Sequence, residues 1–523
     1  MGNYRDRRID DHEIGNMNID LYERTDRRGE TRWVPTDLST AQEQVRSGSP
    51  KFKVKLLGSW QPAEHDIFHD GYYVMPPNIF WDGFYSLPES IVQATDTIDA
   101  TEMAGYFETA DLYELARYIN LRHLDFSKGR LTEESVSTLR SLQQLETLDL
   151  WRCRGKIAKF SEVTWTNLKS ISFFSTSLRD NSFANIKGHA LTEVNLDDTR
   201  LTEEGYEHLT RFRNLQALSL KGGRFRWSLI GDLPALKQLS LRLCKGGELH
   251  LENNVHLESL TLDRCKFSND WLSTVIGPSL QALDIYDTDI SVLDTRHFEK
   301  FVNLTSISLS LTKATPAILR TILQLPALEE ISIQECAVLD DALRQAPCCR
   351  RLQIVNVEGT DISDETVKAV LQSPDLEELH LCSTRISDSS LQFCSGSRLR
   401  LLDLSETAVS DQGLERLGEL TQLETLDLRN TGITDAFWQN LNRNAISLLS
   451  LSDTAITDVS AERISEMAQL EQLYIDGTGI TDSALACFSK LKKLRRLLIV
   501  GCNVSATAVS KLQKALPYCY IDR

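Results

Sequence analysis

Two histidines four residues apart, His65 and His69, are the first side chains of this chain whose spacing suggests chemistry. Side chains at that spacing lie on one face of a helix, where two imidazoles can share a metal ion. The segment His-Asp-Ile-Phe-His-Asp lacks the glutamate that acts as general base in a hydrolytic zinc site, and no third ligand lies nearby in the sequence. We therefore expect neither a metal site nor a cofactor.

The cysteines are the second group that could carry chemistry. There are 11 of them, with no CxxC pair and no Cys/His set at zinc spacing. An odd number without a framework of spacings indicates free thiols, which are typical of the cytoplasm or another reducing compartment. The chain also has no glycine-rich phosphate loop, no nucleophile elbow and no pair of catalytic carboxylates. We expect a protein that is not an enzyme.

The composition and the distribution of apolar residues disfavour several partners and locations. The 523-residue chain has a net charge of −17, which disfavours nucleic acid and anionic membranes as partners of the whole molecule. No apolar run approaches the ~20 residues that a membrane span requires. The first 30 residues are rich in Arg and Asp and contain no apolar stretch typical of a signal peptide.

An internal repeat determines how the remaining side chains are arranged. The frame L-x-x-L-x-L-x-x-T-x-I-[ST]-D is clearest at residues 376–388. It occurs in 17 copies that begin between Leu121 and Leu494, with successive starts 21 to 24 residues apart. Since side chains alternate along a strand, the closely spaced leucines point inward and the residues between them face outward. Each copy therefore predicts a short strand, a turn and a return segment.

The return segment carries its own signal. A Ser/Thr-Asp pair, as in Ser363-Asp364 and Thr434-Asp435, is typical of a helix N-cap followed by a first-turn acid. Apolar residues at a spacing near three follow this pair and favour a short helix or 3₁₀ turn. The ninth position of the frame is Thr in ten copies, Cys in five and Gly in two. We expect these Thr and Cys residues to be buried in a ladder between neighbouring repeats.

This frame resembles the leucine-rich-repeat family, in the short bacterial type with Thr or Cys at the ladder position. The resemblance implies an α/β solenoid shaped like a horseshoe, with a parallel sheet on its concave face and short helices or 3₁₀ turns on its convex face. We expect three regions: a polar, disordered segment at 1–50, an aromatic-rich cap or small module at 51–117, and the repeats with a closing strand at 118–523.

The outward positions of the strands hold the candidate binding residues. Aromatic residues and arginine are frequent interface anchors, and those predicted to face outward are Trp151, Arg152, Phe174, Tyr286 and Tyr474. The acids selected on the same face are Asp197, Asp284, Glu358, Asp403 and Asp427. An acid-leaning face predicts a basic protein partner, although such acids can also serve only to keep an open sheet soluble.

A basic stretch between His208 and Gly247 interrupts this acidic pattern. Its candidate residues are Arg213, Lys221, Arg224, Arg226 and Arg242. Such an island can bind an acidic protein or a phosphate, but the few aromatic residues around it disfavour nucleic acid.

The repeat favours a protein-binding scaffold that uses its concave face. One alternative is the substrate-recognition subunit of a larger enzyme, such as a ubiquitin-ligase adaptor that docks through the N-terminal region. Another is assembly by self-association.

Overall fold

The computed structural model describes residues 117–523, apart from the segments 159–163, 187–189, 223–225, 292, 337–339, 345–350, 395, 440 and 442–444. Nearer the N-terminus only the backbone of six strands is described. These strands are β1 (Asn18–Thr25), β2 (Thr31–Asp37), β3 (Phe52–Leu56), β4 (Phe68–His69), β5 (Tyr72–Met75) and β6 (Thr95–Asp99). The expected disordered segment, the expected cap and the His65/His69 pair lie outside the described side chains.

The contacts divide the chain into two compact units. The first comprises Met1–Leu257 with Phe267–Trp271, and the second comprises Glu258–Lys266 with Leu272–Arg523.

The first unit carries one strand of each repeat in a parallel sheet, and its first two described repeats each add a second, two-residue strand. Its strands are β7 (His123–Asp125), β8 (Arg130–Leu131), β9 (Thr147–Asp149), β10 (Arg154–Gly155), β11 (Ser170–Ser172), β12 (Glu193–Asn195), β13 (Ala217–Lys221) and β14 (Gln238–Arg242). β6, β7, β9 and β11 to β14 pair in parallel in that order, while β8 and β10 form a separate pair. The return segments hold α1 (Glu133–Ser141), α2 (Asp180–Ala184), α3 (Glu203–Glu207) and 3₁₀ helices at His208–Arg211 and Trp227–Asp232.

The second unit repeats the same arrangement. Its strands are β15 (Ser259–Asp263), β16 (Ala282–Tyr286), β17 (Ser306–Ser308), β18 (Glu330–Ser332), β19 (Ile354–Asn356), β20 (Glu378–His380), β21 (Leu401–Asp403), β22 (Thr425–Asp427), β23 (Leu448–Ser450), β24 (Gln472–Tyr474), β25 (Arg496–Leu498) and β26 (Tyr520–Asp522). Each pairs in parallel with the next.

Short helices connect these strands. The α-helices are α4 (Trp271–Thr274), α5 (Pro316–Ile322), α6 (Asp340–Arg344), α7 (Asp364–Val370), α8 (Asp388–Leu391), α9 (Asp458–Ser465), α10 (Asp482–Phe488) and α11 (Ala506–Ala515), with 3₁₀ helices at Gly277–Ser279, Thr295–His297, Gly413–Glu419 and Asp435–Gln439. The predicted unit of strand, turn and return segment is confirmed, as is the fold class of parallel sheet with short helices and 3₁₀ turns.

The leucines of the frame build the core of each unit. In the clearest copy, Leu376, Leu379 and Leu381 are buried, whereas Glu378 and His380 between them are partly exposed. A buried leucine contributes about 1.5–3 kcal/mol relative to an exposed one. Because three such residues recur in most copies, the stacking of repeats, rather than any single helix, stabilises the fold.

The Ser/Thr-Asp pair links neighbouring repeats as well as starting a return segment. The carboxylate of Asp388 accepts the backbone N–H of Ser410 at 2.7 Å and its hydroxyl at 2.7 Å. Asp364 accepts the same two groups of Ser387 at 2.8 and 2.7 Å. Ser363 occupies the predicted N-cap position of α7 and Asp364 its first turn, but the Ser363 hydroxyl accepts no capping hydrogen bond and instead donates to Asp340. Thr434 does cap its segment, accepting from the N–H of Ala436.

The carboxylate of Asp435 is expected to make the second unit sensitive to acid. Burial acts to raise the pKa of Asp435, but the hydroxyls of Ser460 and Thr457 and the N–H of Thr457 outweigh it and hold the pKa below its usual value. A lowered pKa means that the ionised group stabilises the fold above about pH 4, the value for the unfolded chain, and that this contribution is lost as the pH falls through the folded pKa.

We expect Asp435→Asn to lower the free energy of unfolding by about 1.5–2 kcal/mol at pH 7, because hydrogen bonds to a charged acceptor are lost. The difference from the wild type should shrink as the pH falls below about 4, toward the lowered folded pKa at which the wild-type carboxylate is protonated too. Urea unfolding at pH 7 and pH 3 measures both values. Asp361→Asn is the matched control, because that exposed carboxylate makes only a surface ion pair with Arg385; an equal loss in the control would contradict the prediction.

Candidate functional site

Two aromatic rings lie side by side on the outward face of the strands in the first unit. Trp151 and Phe174 directly follow the inward residues Leu150 and Phe173 of consecutive repeats, and the register of β9 with β11 brings them together. Their ring centroids are 6.3 Å apart and the ring planes differ by 6°. Both side chains are half-buried, so each ring keeps part of its surface toward solvent. The structure thus confirms as neighbours two residues that were selected by their spacing.

Two cations complete this group. The Lys128 ammonium lies 4.9 Å from the centroid of a Trp151 ring, and the Arg152 guanidinium carbon lies 5.1 Å from it. A cation within about 6 Å of an aromatic ring is attracted by the electrons of its face. We refer to Lys128, Trp151, Arg152 and Phe174 as the cation–aromatic cluster. The sequence predicted only the last three as neighbours. Lys128 occupies the eighth position of the preceding repeat, the position that Arg152 occupies in its own repeat, and that correspondence is the signal that predicts its place.

The backbone holds the cluster in place. Lys128 and Arg152 both adopt the left-handed conformation, with φ of 60° and 54°. The N–H of Arg152 donates to the carbonyl of Phe174 at 2.8 Å, and the N–H of Lys128 donates to the carbonyl of Trp151 at 2.5 Å. Non-glycine residues rarely adopt this conformation, so the surrounding repeats must enforce it. The side chains therefore project from a backbone that is ordered before any partner binds.

The other aromatic candidates lie apart, in the second unit. Tyr286 is half-buried beside Arg264, whose guanidinium carbon is 5.5 Å from the ring centroid. The ring centroid of Tyr474 lies 5.9 Å from the guanidinium carbon of Arg496. The same carbon lies 5.9 Å from the ring centroid of Tyr520. Seven strands, β17 to β23, separate Tyr286 from Tyr474, so these two candidates do not belong to one site.

Several acidic candidates have structural partners. Asp403 and Asp427 each accept the backbone N–H of the residue two positions later, Ser405 and Arg429, at 2.9 Å. These bonds shape the turn that follows each strand. Burial and the nearby Asp403 raise the pKa of Asp427. The two carboxylates thus order the turn while contributing to the acidity of the face.

The remaining acids differ in exposure. Asp197 is buried; it accepts the Ser219 hydroxyl at 2.9 Å and lies 4.0 Å from Arg242, and burial raises its pKa. Asp284 is exposed and Glu358 is half-buried. Asp197, in the first unit, is the acid least accessible to a partner.

The basic candidates do not gather into one patch. Lys221 and Arg242 are register partners on β13 and β14 and lie on the outward strand face. Arg226 instead contacts Glu203 and Glu207 of α3 on the return side, at 3.5 and 3.7 Å. Arg213 is exposed just before β13, and Arg224 lies outside the described residues. Lys221 forms an ion pair with Asp198 at 2.6 Å, so acids of the preceding repeat offset part of the positive charge.

No group of three or more His, Cys, Asp or Glu side chains in the described ranges is arranged to hold a metal ion. Within the same ranges, no helix has the length and apolar character needed to cross a bilayer.

A buried ladder runs between the strands and the return segments. The Thr384 hydroxyl donates to the carbonyl of Leu381 in its own repeat at 2.6 Å. Where cysteine occupies the same position, the thiol reaches back one repeat, as from Cys336 to the carbonyl of Leu309 at 3.0 Å. Burial raises the pKa of Cys336, which keeps it a thiol. One strand per repeat, buried leucines at three fixed positions and this ladder decide the architecture.

The fold is the leucine-rich-repeat fold. The repeat is of the short type predicted, with Thr or Cys at the ladder position. The nine cysteines in the described ranges are all free thiols.

No family model and no curated protein sequence matches the chain. Among solved structures it is similar to a leucine-rich-repeat protein of Leptospira interrogans, with 19% identity, a TM-score of 0.40 and coverage of 78% of this chain and 92% of that one. A chain of the mouse RP105/MD-1 complex shows 16% identity and a TM-score of 0.47, covering 88% and 87%. The Arabidopsis receptor kinase HAESA, solved with a peptide hormone and a co-receptor, shows 17% identity and a TM-score of 0.37, covering 80% and 73%. The fold is assigned from the chain's own parallel strand register and from its buried ladder of Thr and Cys side chains.

Proposed function

We propose that this protein is a non-catalytic scaffold that recognises a protein partner with its strand face. One observation carries the proposal: the half-buried Trp151 and Phe174 rings stack side by side on that face. Aromatic residues and arginine supply most of the binding energy at protein interfaces, and they do so best when clustered.

The rigidity of the surface supports the same function. The residues around the cluster belong to a parallel sheet whose turns are closed by backbone hydrogen bonds between repeats. Binding to such a surface orders few new residues, so less of the contact energy is offset by lost conformational entropy. A pre-ordered face of parallel strands suits a protein surface better than a small molecule, which binds in a concave pocket.

The predicted basic partner remains a proposal for the second unit. Its strand face carries Asp284, Glu358, Asp403 and Asp427, whose negative charges would help to steer a basic partner. No described contact favours the adaptor alternative, which depends on the N-terminal region, residues 1–117. A cytoplasmic location is likewise a proposal, supported by the free thiols.

Site-specific photo-crosslinking tests the proposal. We expect p-benzoyl-phenylalanine in place of Phe174 to form a covalent adduct with a second protein in cells that express the chain. The same group in place of Glu204, an exposed residue of α3 on the return side, should form none. Adducts of equal yield from both positions, or adducts only from Glu204, would place recognition elsewhere and overturn the proposal.

A further inference from the structure

The cations of the cation–aromatic cluster differ from most other cations on the strand face, although Arg496 of the second unit also lies over aromatic rings. Lys221 pairs with Asp198 at 2.6 Å, Arg264 with Asp287 at 3.3 Å and Arg429 with Glu406 at 3.7 Å. In the described ranges, no carboxylate lies within ion-pair distance of Lys128 or Arg152; both side chains lie over the Trp151 ring instead.

The acids closest in sequence to the cluster already have partners. Asp125 accepts the N–H of Ser127 at 2.8 Å, and Asp149 accepts the N–H of Trp151 at 2.8 Å. These bonds hold the carboxylates at the turns that follow β7 and β9. The positive charge of Lys128 and Arg152 is thus left for an external group.

We propose that the cluster binds an acidic segment of a protein partner, in which Asp or Glu side chains flank an apolar one. The carboxylates pair with Lys128 and Arg152, and the apolar side chain packs on Trp151 and Phe174. Guanidinium and ammonium groups bind carboxylates by charge-assisted hydrogen bonds, and the two rings supply apolar area beside them. This inference rests on the proposed function and names the chemistry of the partner.

A single-stranded nucleic acid also combines negative charge with flat apolar groups, but the surroundings disfavour it. A phosphate backbone needs a track of several cations. The repeat that follows Phe174 instead places Asp197 and Asp198 at the positions that continue the cluster. Two cations followed by two acids fit a short acidic peptide segment better than a polyanion.

The test is selection of a displayed library of random 12-residue peptides on the full chain. We expect the selected peptides to be enriched in Asp and Glu next to aromatic or aliphatic residues. Lys128→Glu with Arg152→Glu should lower the affinity for these peptides by about 10- to 100-fold. Selection on this double variant should instead yield peptides rich in Lys and Arg. Arg179→Glu with Arg200→Glu makes the same charge change at exposed positions outside the cluster and should leave the selected peptides unchanged.

The outcomes separate this inference from the proposed function. Selected peptides that are basic or uncharged, yet lost on Trp151→Ala, overturn the acidic partner and leave strand-face recognition standing. If the selected peptides bind equally well after Trp151→Ala and after the charge reversal, or if no peptide is selected, both the acidic partner and strand-face recognition are contradicted. Binding of a fluorescent single-stranded oligonucleotide that Lys128→Glu with Arg152→Glu abolishes would also overturn the acidic-peptide assignment. Circular dichroism confirms that each variant is folded.

Discussion

Trp151→Ala combined with Phe174→Ala is expected to weaken binding of the protein captured at Phe174 by about 100- to 1,000-fold. Each anchoring aromatic at an interface typically contributes about 2 kcal/mol or more, and a loss of 1.4 kcal/mol reduces affinity tenfold. The two rings are 6.3 Å apart and nearly parallel, so a partner that contacts one contacts both. The combined loss should therefore be large but not strictly additive.

The fold should tolerate these changes. Both side chains are half-buried on the strand face, while the neighbouring core positions Leu150 and Phe173 point inward and are fully buried. We expect the free energy of unfolding to fall by no more than about 1.5 kcal/mol. Trp151→Phe is the matched control because it keeps the stack and should retain most of the affinity. Isothermal titration calorimetry with thermal unfolding measures both properties, and an unchanged affinity in the double variant would contradict the prediction.

Asn254→Asp is expected to destabilise the first unit by about 3–5 kcal/mol at pH 7. Asn254 is completely buried, and its amide donates to the carbonyls of Ile230 and Leu233, both at 3.0 Å. Aspartate has nearly the same shape but replaces the donor with a negative charge facing two carbonyl oxygens. A buried charge without a partner is among the most destabilising changes in a protein interior.

The pH dependence identifies the cause. Burial raises the pKa of a carboxyl above its unfolded value of about 4, so the folded variant binds more protons than the unfolded chain between those two values. Its stability relative to the wild type should recover as the pH is lowered toward about 4.

Asn254→Leu is the control, because both carbonyls keep their backbone partners, the N–H groups of Leu233 and Leu236. We expect this variant to lose less than half as much stability as Asn254→Asp. Urea unfolding followed by circular dichroism at pH 8 and pH 5 measures the difference; a pH-independent loss would show that shape, not charge, is responsible.

Much of the candidate site follows from counting along the repeat. Trp151, Phe174 and Tyr286 each directly follow the last inward apolar residue of the strand frame, and a residue at that position faces outward whatever repeat it belongs to. Their exposure was therefore predictable. Which of them would touch was not, because contact depends on how consecutive repeats are stacked and on where each long side chain turns. Trp151 and Phe174 meet, whereas Tyr286 contacts Arg264 of the preceding repeat.

Charges were the hardest feature to interpret from spacing. Along the sequence, the basic stretch that includes Lys221, Arg226 and Arg242 predicts a single cluster of positive charge. In the fold, Lys221 and Arg242 lie on the strand face beside Asp198 and Asp197, and Arg226 lies beside the glutamates of α3. Coulomb energy falls with distance in space, so acids one or two repeats away modify the potential as much as sequence neighbours do.

The sequence by itself determined the repeat, its register and the buried leucines, because these depend on a period of 21 to 24 residues and on the alternation of side chains along each strand. Only the tertiary structure decided the partners across repeats. In the fold, Lys128 lies over the Trp151 ring and the hydroxyl of Ser363 donates to Asp340. The amide of Asn254 donates to two backbone carbonyls. The physical reason is that each of these contacts spans at least 20 residues of chain and a few ångströms of space. Stacking geometry, which no local pattern encodes, brings the groups together.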